Sequence, residues 1–218
     1  MVRIGIIGLG FMGMTHYEGA KKVDGGKVTA IATRNPAKLA GDWTSIQGNF
    51  GPRGGHVDLS NVKTYSDYQE LLADPEIDLV DICLPLDQHE KVTLEAIAAG
   101  KAVIVEKAIA LDIAAADRMV QAARDAGPLL MVAHVLPFFP EFKFAADAIM
   151  GGRYGKLRAA HFRRMISKPD WSDDMADPAK TGGPGIDLHI HDTHFIGWVC
   201  GTPKAVQSRG ILEDGYDQ

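Results

Sequence analysis

Short apolar runs alternate with longer helix-compatible stretches through the first 134 residues of the chain. The apolar runs are rich in β-branched residues and have the length of buried strands. They cover residues 2–7, 28–33, 77–84, 102–105 and 129–134. The stretches between them predict helices, several of which stop at glycine, and they cover residues 11–23, 67–73, 88–99 and 113–126. This alternation predicts an α/β fold, a doubly wound Rossmann domain whose parallel sheet is covered on both faces.

The pattern changes after residue 135. A helix to about Met150, a loosely alternating strand at 156–166, a polar loop at 167–180, a glycine turn at 182–185, a helix carrying His191 and a closing strand at 204–212 are predicted. We therefore expect a dinucleotide-binding domain over 1–135 and a small, incomplete α+β domain over 136–218. So thin a second layer indicates either a fragment or a sheet completed by another subunit, which favours a homo-oligomer. Residues 41–60 are predicted to form an inserted loop, and the sequence does not indicate its role.

Composition and net charge limit the classes of molecule that the protein is expected to bind. The formal charge is −5, without a basic block, which argues against nucleic acid and anionic membranes and favours a small molecule. The two cysteines, Cys83 and Cys200, form no Cys-x-x-Cys motif, so neither a disulfide framework nor a thiolate metal site is indicated. No apolar run approaches the length of a membrane span. We expect a cytoplasmic protein.

A glycine-rich turn follows the first predicted strand. It reads Gly8-Leu9-Gly10-Phe11-Met12-Gly13 and leads into the first predicted helix. Gly8 suits the tight turn, Gly10 lets a pyrophosphate approach the backbone, and Gly13 lets helix and strand pack closely. The motif in this context predicts dinucleotide binding, with the helix N-terminus facing the phosphates.

The second predicted strand ends in Thr33-Arg34-Asn35. An NAD site usually presents a carboxylate there, whereas a guanidinium with a neighbouring hydroxyl and amide suits a 2′-phosphate. The sequence therefore favours NADP. If Arg34 lies along the adenine or in solvent instead, NAD is used.

Two further segments follow predicted strands. Leu84, Pro85 and His89 come after the third strand, and Glu106 and Lys107 come after the next one. Ligands of open α/β sheets bind at the carboxyl ends of strands, so these residues are candidates to line the cofactor crevice. Taken alone, Lys107 is more often a surface lysine than a catalytic one.

Asp187, His191 and His194 share one face if they lie on one helix, while His189 points away. A histidine near a carboxylate can move a proton to or from a substrate hydroxyl. A structural interpretation is equally good, in which Asp187 caps a helix and His191 is an interior histidine with its hydrogen bonds satisfied. A metal site using these side chains, with His161 as a fourth ligand, is a weaker alternative, and no metal is predicted.

Together these residues resemble the glucose-fructose oxidoreductase and inositol dehydrogenase family, Gfo/Idh/MocA. The resemblance covers nearly the whole chain in a specific order. Its parts are the glycine turn, Pro85 to His89, Ala98-Ala99-Gly100-Lys101 before Glu106-Lys107, Asp187-x-x-x-His191 and Gly201-Thr202-Pro203.

The resemblance implies that Lys107, Asp187 and His191 form the catalytic set. His191 would be the general acid or base, Lys107 would hydrogen-bond the same substrate oxygen, and Asp187 would aid substrate binding. The implied activity is an NAD(P)-dependent oxidoreductase that transfers a hydride between nicotinamide and a hydroxyl-bearing carbon of a sugar, cyclitol or related polyol. A redox-neutral glycosidase or epimerase, and a non-catalytic ligand-sensing relative, are the alternatives.

Several positions depart from the family pattern. Ala108 stands where the family has proline, and Leu86, His189 and His194 also differ from the usual residues. Because a cis bond before a non-proline residue costs about 2.5 to 4 kcal/mol, we predict a trans Lys107–Ala108 bond and some displacement of Lys107.

Overall fold

The computed structural model describes residues 1–48, 50–166 and 177–210, together with 212, 213, 216 and 217. The chain divides into two compact units, Met1–Val132 and Ala133–Gln218. Most of the predicted polar loop at 167–180 lies outside the described residues. None of the helices in the described part is long and apolar enough to cross a membrane.

The first unit is built on a six-stranded parallel sheet in the order β3-β2-β1-β4-β5-β6. This confirms the doubly wound Rossmann fold. The strands are β1 (Val2–Ile7), β2 (Gly26–Ala32), β3 (Lys63–Tyr65), β4 (Leu79–Ile82), β5 (Ala102–Val105) and β6 (Leu130–Val132). Five of them fall on the predicted runs. The edge strand β3 was not predicted, because its three residues are too short and too polar to form an apolar run.

The helices of the first unit have local signals at their ends. They are α1 (Phe11–Ala20), α2 (Pro36–Leu39), α3 (Tyr68–Ala73), α4 (His89–Ala98) and α5 (Ile113–Ala126), with a short 3-10 turn at Leu86–Gln88. The side chains of Asn35, Asp67 and Asp112 cap the N-termini of α2, α3 and α5. Gly127 ends α5 in the left-handed conformation at φ 91°.

Two apolar clusters lie on opposite faces of the sheet. Ile6 and Ile7 are neighbours in β1, yet Ile6 belongs to the cluster with α1 and Ile7 to the cluster with α4 and α5. Successive strand residues point to opposite faces. Both faces are therefore buried, which explains why the strands read as continuous apolar runs.

The second unit contains helices α6 (Pro140–Met150), α7 (Pro178–Thr181), α8 (Gly183–Asp187) and α9 (Ile190–Cys200), and two short strands, β7 (Leu212–Glu213) and β8 (Tyr216–Asp217), which pair antiparallel. Its apolar cluster centres on Leu136, Ala146 and Phe195. A short 3-10 turn, Leu136–Phe138, precedes α6.

The strand predicted at 156–166 is wrong, and the one predicted at 204–212 is wrong over 204–210, although its last residue, Leu212, lies in β7. Residues 156–166 have no strand structure, and 204–210 have none either. Most side chains in both segments are exposed, so they lack the buried face and the neighbouring strand that a β-strand needs. Loose alternation of apolar and polar residues was not a sufficient signal.

Candidate functional site

The carboxyl ends of the central strands are aligned at one edge of the sheet. Ile7 of β1 pairs with Ala32 of β2 and with Ile82 of β4, and Ile82 pairs with Val105 of β5. The ladder extends one residue further. The N–H groups of Gly8, Cys83 and Glu106 donate to the carbonyls of Ala32, Ile7 and Ile82 at 3.0, 2.8 and 3.0 Å. The glycine turn, the turn at Leu84 and Pro85, and the Glu106–Lys107 pair therefore all leave the sheet at the same edge.

The glycine turn has the form that the sequence predicts. Gly8 has φ 93°, and a Cβ there would lie 2.6 Å from the Cys83 carbonyl oxygen. A Cβ on Gly13 would lie 2.1 Å from the Gly8 carbonyl oxygen. Only glycine fits either position.

Gly10 differs from these two glycines. A Cβ at Gly10 would meet nothing within 4 Å, so its backbone faces open space. It is the N-cap of α1, and as a glycine it places no side chain over the helix N-terminus. A helix N-terminus beside open space is a ready anion-binding position. This part of the chain fits the pyrophosphate of a dinucleotide.

The inserted segment at 41–60 packs against this glycine turn. A Cβ on Gly48 would overlap the Phe11 ring, and Phe50 meets Phe11 edge-on at 4.7 Å between centroids. Trp43 is fully buried beside Tyr17 of α1, also edge-on at 4.9 Å. The insertion thus supports α1 and the turn that precedes it.

The residues predicted to select NADP follow β2. Arg34 and Asn35 are exposed, and Thr33 is half-buried. The Asn35 carbonyl Oδ1 accepts from the N–H groups of Ala37 and Lys38, so that oxygen is committed to capping α2. The Arg34 guanidinium is the exposed cation at this position.

Lys38 was not predicted as a site residue. Its Nζ donates to the Leu9 carbonyl oxygen at 2.7 Å, which ties α2 to the glycine turn. Burial lowers the pKa of Lys38 below its usual value. No sequence signal marks it, because the contact spans 29 residues.

His89 lies at the start of α4 and is 1% exposed. Its Nε2 lies 2.9 Å from the Leu84 carbonyl oxygen and its Nδ1 lies 2.8 Å from the Ala108 carbonyl oxygen. Both ring nitrogens are therefore engaged by backbone. His89 holds the turn after β4, which includes Pro85, to the segment after β5.

Lys107 is half-buried at the end of β5. The peptide bond between Lys107 and Ala108 is cis, so the predicted trans bond is wrong. That prediction weighed only the preference of the dipeptide. Ala108 is buried, and its carbonyl oxygen is hydrogen-bonded to His89. The identities of Lys107 and Ala108 do not indicate these tertiary contacts.

A charged cluster under the same edge was missed. His16 of α1 lies 2.8 Å from Asp81 and 3.0 Å from Glu106, and the Cys83 sulfur is 3.5 Å from His16 Nδ1. Within the described ranges, His16, Asp81 and Cys83 are the group of potential metal ligands whose donor atoms lie within 4.8 Å of one another. One signal existed: Asp81 is a charge inside an apolar strand, and a buried charge needs a partner.

In the second unit, the predicted single helix is two helices. Asp187 ends α8 and His191 is the second residue of α9. The N–H groups of Leu188 and His189 both donate to the Pro184 carbonyl, which interrupts the regular ladder between the two helices. The one-face argument from a continuous helix is therefore wrong, although Asp187 and His191 are both half-buried.

Other residues of α9 have partners that the sequence did not indicate. The rings of His194 and His134 stack at 4.0 Å with an interplanar angle of 6°, and burial lowers the pKa of His194. Arg164 forms a bidentate pair with Asp192 at 2.6 and 2.8 Å. Hydrogen bonds from Arg164 lower the pKa of Asp192. His161, the fourth ligand of the metal alternative, is exposed.

Comparison with known proteins agrees with this geometry. Residues 2–134 match the model of an oxidoreductase family with an NAD-binding Rossmann fold, GFO/IDH/MocA. The chain belongs to this family. Residues 142–215 match the model of a GFO/IDH/MocA C-terminal domain.

Several relatives are named as dehydrogenases or reductases of cyclitols and sugars. The chain is 28% identical over 92% of its length to myo-inositol 2-dehydrogenase of Thermotoga maritima, covering 55% of that protein. It is 30% identical over its whole length to 1,5-anhydro-D-fructose reductase of Ensifer adhaerens, covering 63% of that protein. The apo scyllo-inositol dehydrogenase of Lactobacillus casei has TM-score 0.70 at 25% identity, over 92% of this chain and 55% of that one. The chain thus spans little more than half the length of these relatives.

Proposed function

We propose that the protein is an NADP-dependent oxidoreductase that transfers a hydride between nicotinamide and a hydroxyl-bearing carbon of a sugar, cyclitol or related polyol. The observation that carries the proposal is the alignment on β1, β4 and β5. The open position at Gly10 and the Glu106–Lys107 pair follow strands that flank the same β4. The names of the relatives support the substrate class.

The chain's residues have distinct roles in this proposal. Gly10 and the first turn of α1 bind the pyrophosphate through backbone N–H groups. Thr33 and Asn35 line the ribose end, and the turn at Leu84 and Pro85 lines the crevice. A nicotinamide held by these residues would supply the hydride chemistry at its C4 carbon.

Protein side chains handle the proton of the substrate hydroxyl. His191 accepts it from the substrate hydroxyl during oxidation and returns it during reduction. Lys107 donates a hydrogen bond to the same oxygen and stabilises the charge that develops there. Asp187 binds the substrate and orients it toward His191.

Activity is tested by a screen of polyols and sugars that follows nicotinamide absorbance. Lys107→Ala and His191→Ala should each lower kcat at least about 100-fold while the Kd for the cofactor stays close to wild type. Lys27→Ala is the matched control, since Lys27 is exposed at the opposite end of β2. Unchanged turnover in both site variants would contradict the proposal. Substrate conversion without net change in nicotinamide would favour the redox-neutral alternative.

The choice of NADP rests on Arg34. A guanidinium pairs with a 2′-phosphate, whereas a carboxylate there would repel it. We expect NADPH to bind at least tenfold more tightly than NADH, about 1.4 kcal/mol, and Arg34→Ala to remove that preference. Arg124→Ala, on the exposed side of α5, should keep it. Equal affinities in the wild type would contradict the assignment.

The homo-oligomer expected from the sequence stays a prediction. Sedimentation velocity of the purified chain tests it, and a monomer across the concentration range would contradict it.

A further inference from the structure

The charged cluster beneath the sheet edge joins three elements of the first unit. His16 comes from α1, Asp81 from β4, and Glu106 follows β5. His16 Nδ1 lies 2.8 Å from Asp81 Oδ2, and His16 Nε2 lies 3.0 Å from Glu106 Oε1. The two carboxylates are buried, with side chains 9% and 8% exposed. The imidazole therefore bridges two buried anions.

The surroundings of His16 favour its charged form. Burial acts to lower the pKa of His16, but hydrogen bonds to Asp81, Cys83 and Glu106 outweigh it and raise the pKa far above its usual value. Burial raises the pKa of the Cys83 thiol to about 12, so that thiol is neutral. One imidazole thus stands between two carboxylates, with Nδ1 2.8 Å from Asp81 and Nε2 3.0 Å from Glu106.

The bridge reaches the reactive lysine through the backbone. Glu106 uses its two oxygens separately: Oε1 faces His16, and Oε2 accepts from the Lys107 backbone N–H at 3.2 Å. The two oxygens belong to one rigid planar group, so a contact that orients Oε1 restricts where Oε2 can lie. The orientation of the Lys107 peptide is therefore coupled to a side chain on α1.

We propose that His16 is a positioning residue that holds the Glu106 carboxylate, and through it the backbone of Lys107, in the geometry needed for hydride transfer. The proposal rests on the function proposed above for Lys107. His16 does not touch the substrate or the cofactor in this account. A misplacement of about 1 Å in a reacting group can cost roughly 100-fold in rate, which makes such a support functionally significant.

The first test compares His16→Gln with His56→Gln, an exposed histidine in the insertion. We expect His16→Gln to lower kcat about 10- to 100-fold with KM and the NADPH Kd changed less than threefold. His56→Gln should leave all three unchanged. A wild-type kcat in His16→Gln would overturn the proposal, as would stoichiometric zinc held by His16 in the purified protein.

A double-variant cycle separates positioning from general support of the fold. In a Lys107→Ala background, His16→Gln should cause little further loss of the residual kcat, because the residue it positions is gone. The same fold-loss in both backgrounds would overturn the proposal. If His16→Gln does not fold, Glu106→Gln keeps an acceptor for the Lys107 N–H but weakens the attraction to His16, and the same cycle applies.

A spectroscopic test does not need turnover. In ¹H–¹⁵N spectra at neutral pH, the Lys107 amide resonance should move in His16→Gln but not in His56→Gln. If the resonance moves and no substrate turns over in the wild type, the proposed function fails while the coupling stands. An unmoved Lys107 resonance in His16→Gln would overturn the coupling itself.

Discussion

The two units of this protein differ in how their side chains are buried. The first has two apolar clusters on opposite faces of a six-stranded sheet. In the described residues of the second, a small cluster surrounds Phe195, which packs edge-on against Phe142, Phe162 and Trp198 at 5.1, 6.0 and 5.9 Å. We therefore expect the first unit to draw its stability from an extended core, and the second from a few aromatic contacts and the Arg164–Asp192 pair.

The largest stability effect is expected at Trp43 in the first unit. Trp43→Ala should lower the free energy of unfolding by about 3–5 kcal/mol, because it leaves a cavity against Tyr17. Trp43→Phe keeps most of the volume and loses the hydrogen bond from Nε1 to the Lys38 carbonyl, so it should cost much less. Urea unfolding measures both. A loss below about 1 kcal/mol for Trp43→Ala would show that the insertion does not belong to the core.

His89 gives the next largest effect. His89→Ala leaves the carbonyls of Leu84 and Ala108 without their partner, and each buried unpaired group costs about 1–3 kcal/mol. We expect a loss of about 2–4 kcal/mol in thermal or urea unfolding. His56→Ala, at an exposed position, is the control. Equal stability of the two variants would contradict the role given to His89.

The Arg164–Asp192 ion pair should make the stability of the second unit depend on pH in the acid range. Because Arg164 lowers the pKa of Asp192, the pair contributes stability above the unfolded-state pKa of about 3.9, and that stability is lost as pH falls through the lower folded-state pKa. Asp192→Asn should cost about 2 kcal/mol at neutral pH and should remove this part of the acid dependence. Hydrogen exchange of the α9 amides measures it. A variant that keeps the wild-type acid dependence would contradict the assignment.

The smallest effect is expected at Phe138, which is 82% exposed. Phe138→Ser should change stability by no more than about 0.5 kcal/mol, whereas Phe195→Ala in the same unit should cost about 3 kcal/mol. Thermal unfolding compares the two variants. Similar losses would mean that the cluster around Phe195 does not define this unit.

The same difference in burial explains what could be predicted from the sequence. Helix α5 was predicted at 113–126, its observed bounds, from its composition and from Gly127, a local signal that ends it. The glycine turn was predicted because only glycine fits at Gly8 and Gly13. In the second unit, residues 156–166 are largely exposed and form no strand, so their alternating pattern reflected no buried face.

The site was predictable where a motif is local and was missed where partners are distant in sequence. Nothing near His16 indicates Asp81, 65 residues away, and nothing beside Lys107 indicates that His89 bonds the Ala108 carbonyl. The break between α8 and α9 arises where the N–H groups of Leu188 and His189 both donate to the Pro184 carbonyl. Spacing counts along a helix could not show that break.

The open position at Gly10 is where we propose that the pyrophosphate of a nicotinamide dinucleotide binds. The most direct measurement is the NADPH Kd, by nicotinamide fluorescence, of wild type, Gly10→Ala and the matched Gly19→Ala on α1. Both glycines have space for a Cβ in the protein itself. The account predicts that both variants stay folded and that only Gly10→Ala weakens binding, by tenfold or more, about 1.4 kcal/mol. Unchanged affinity in Gly10→Ala, or no binding by the wild type, would contradict it.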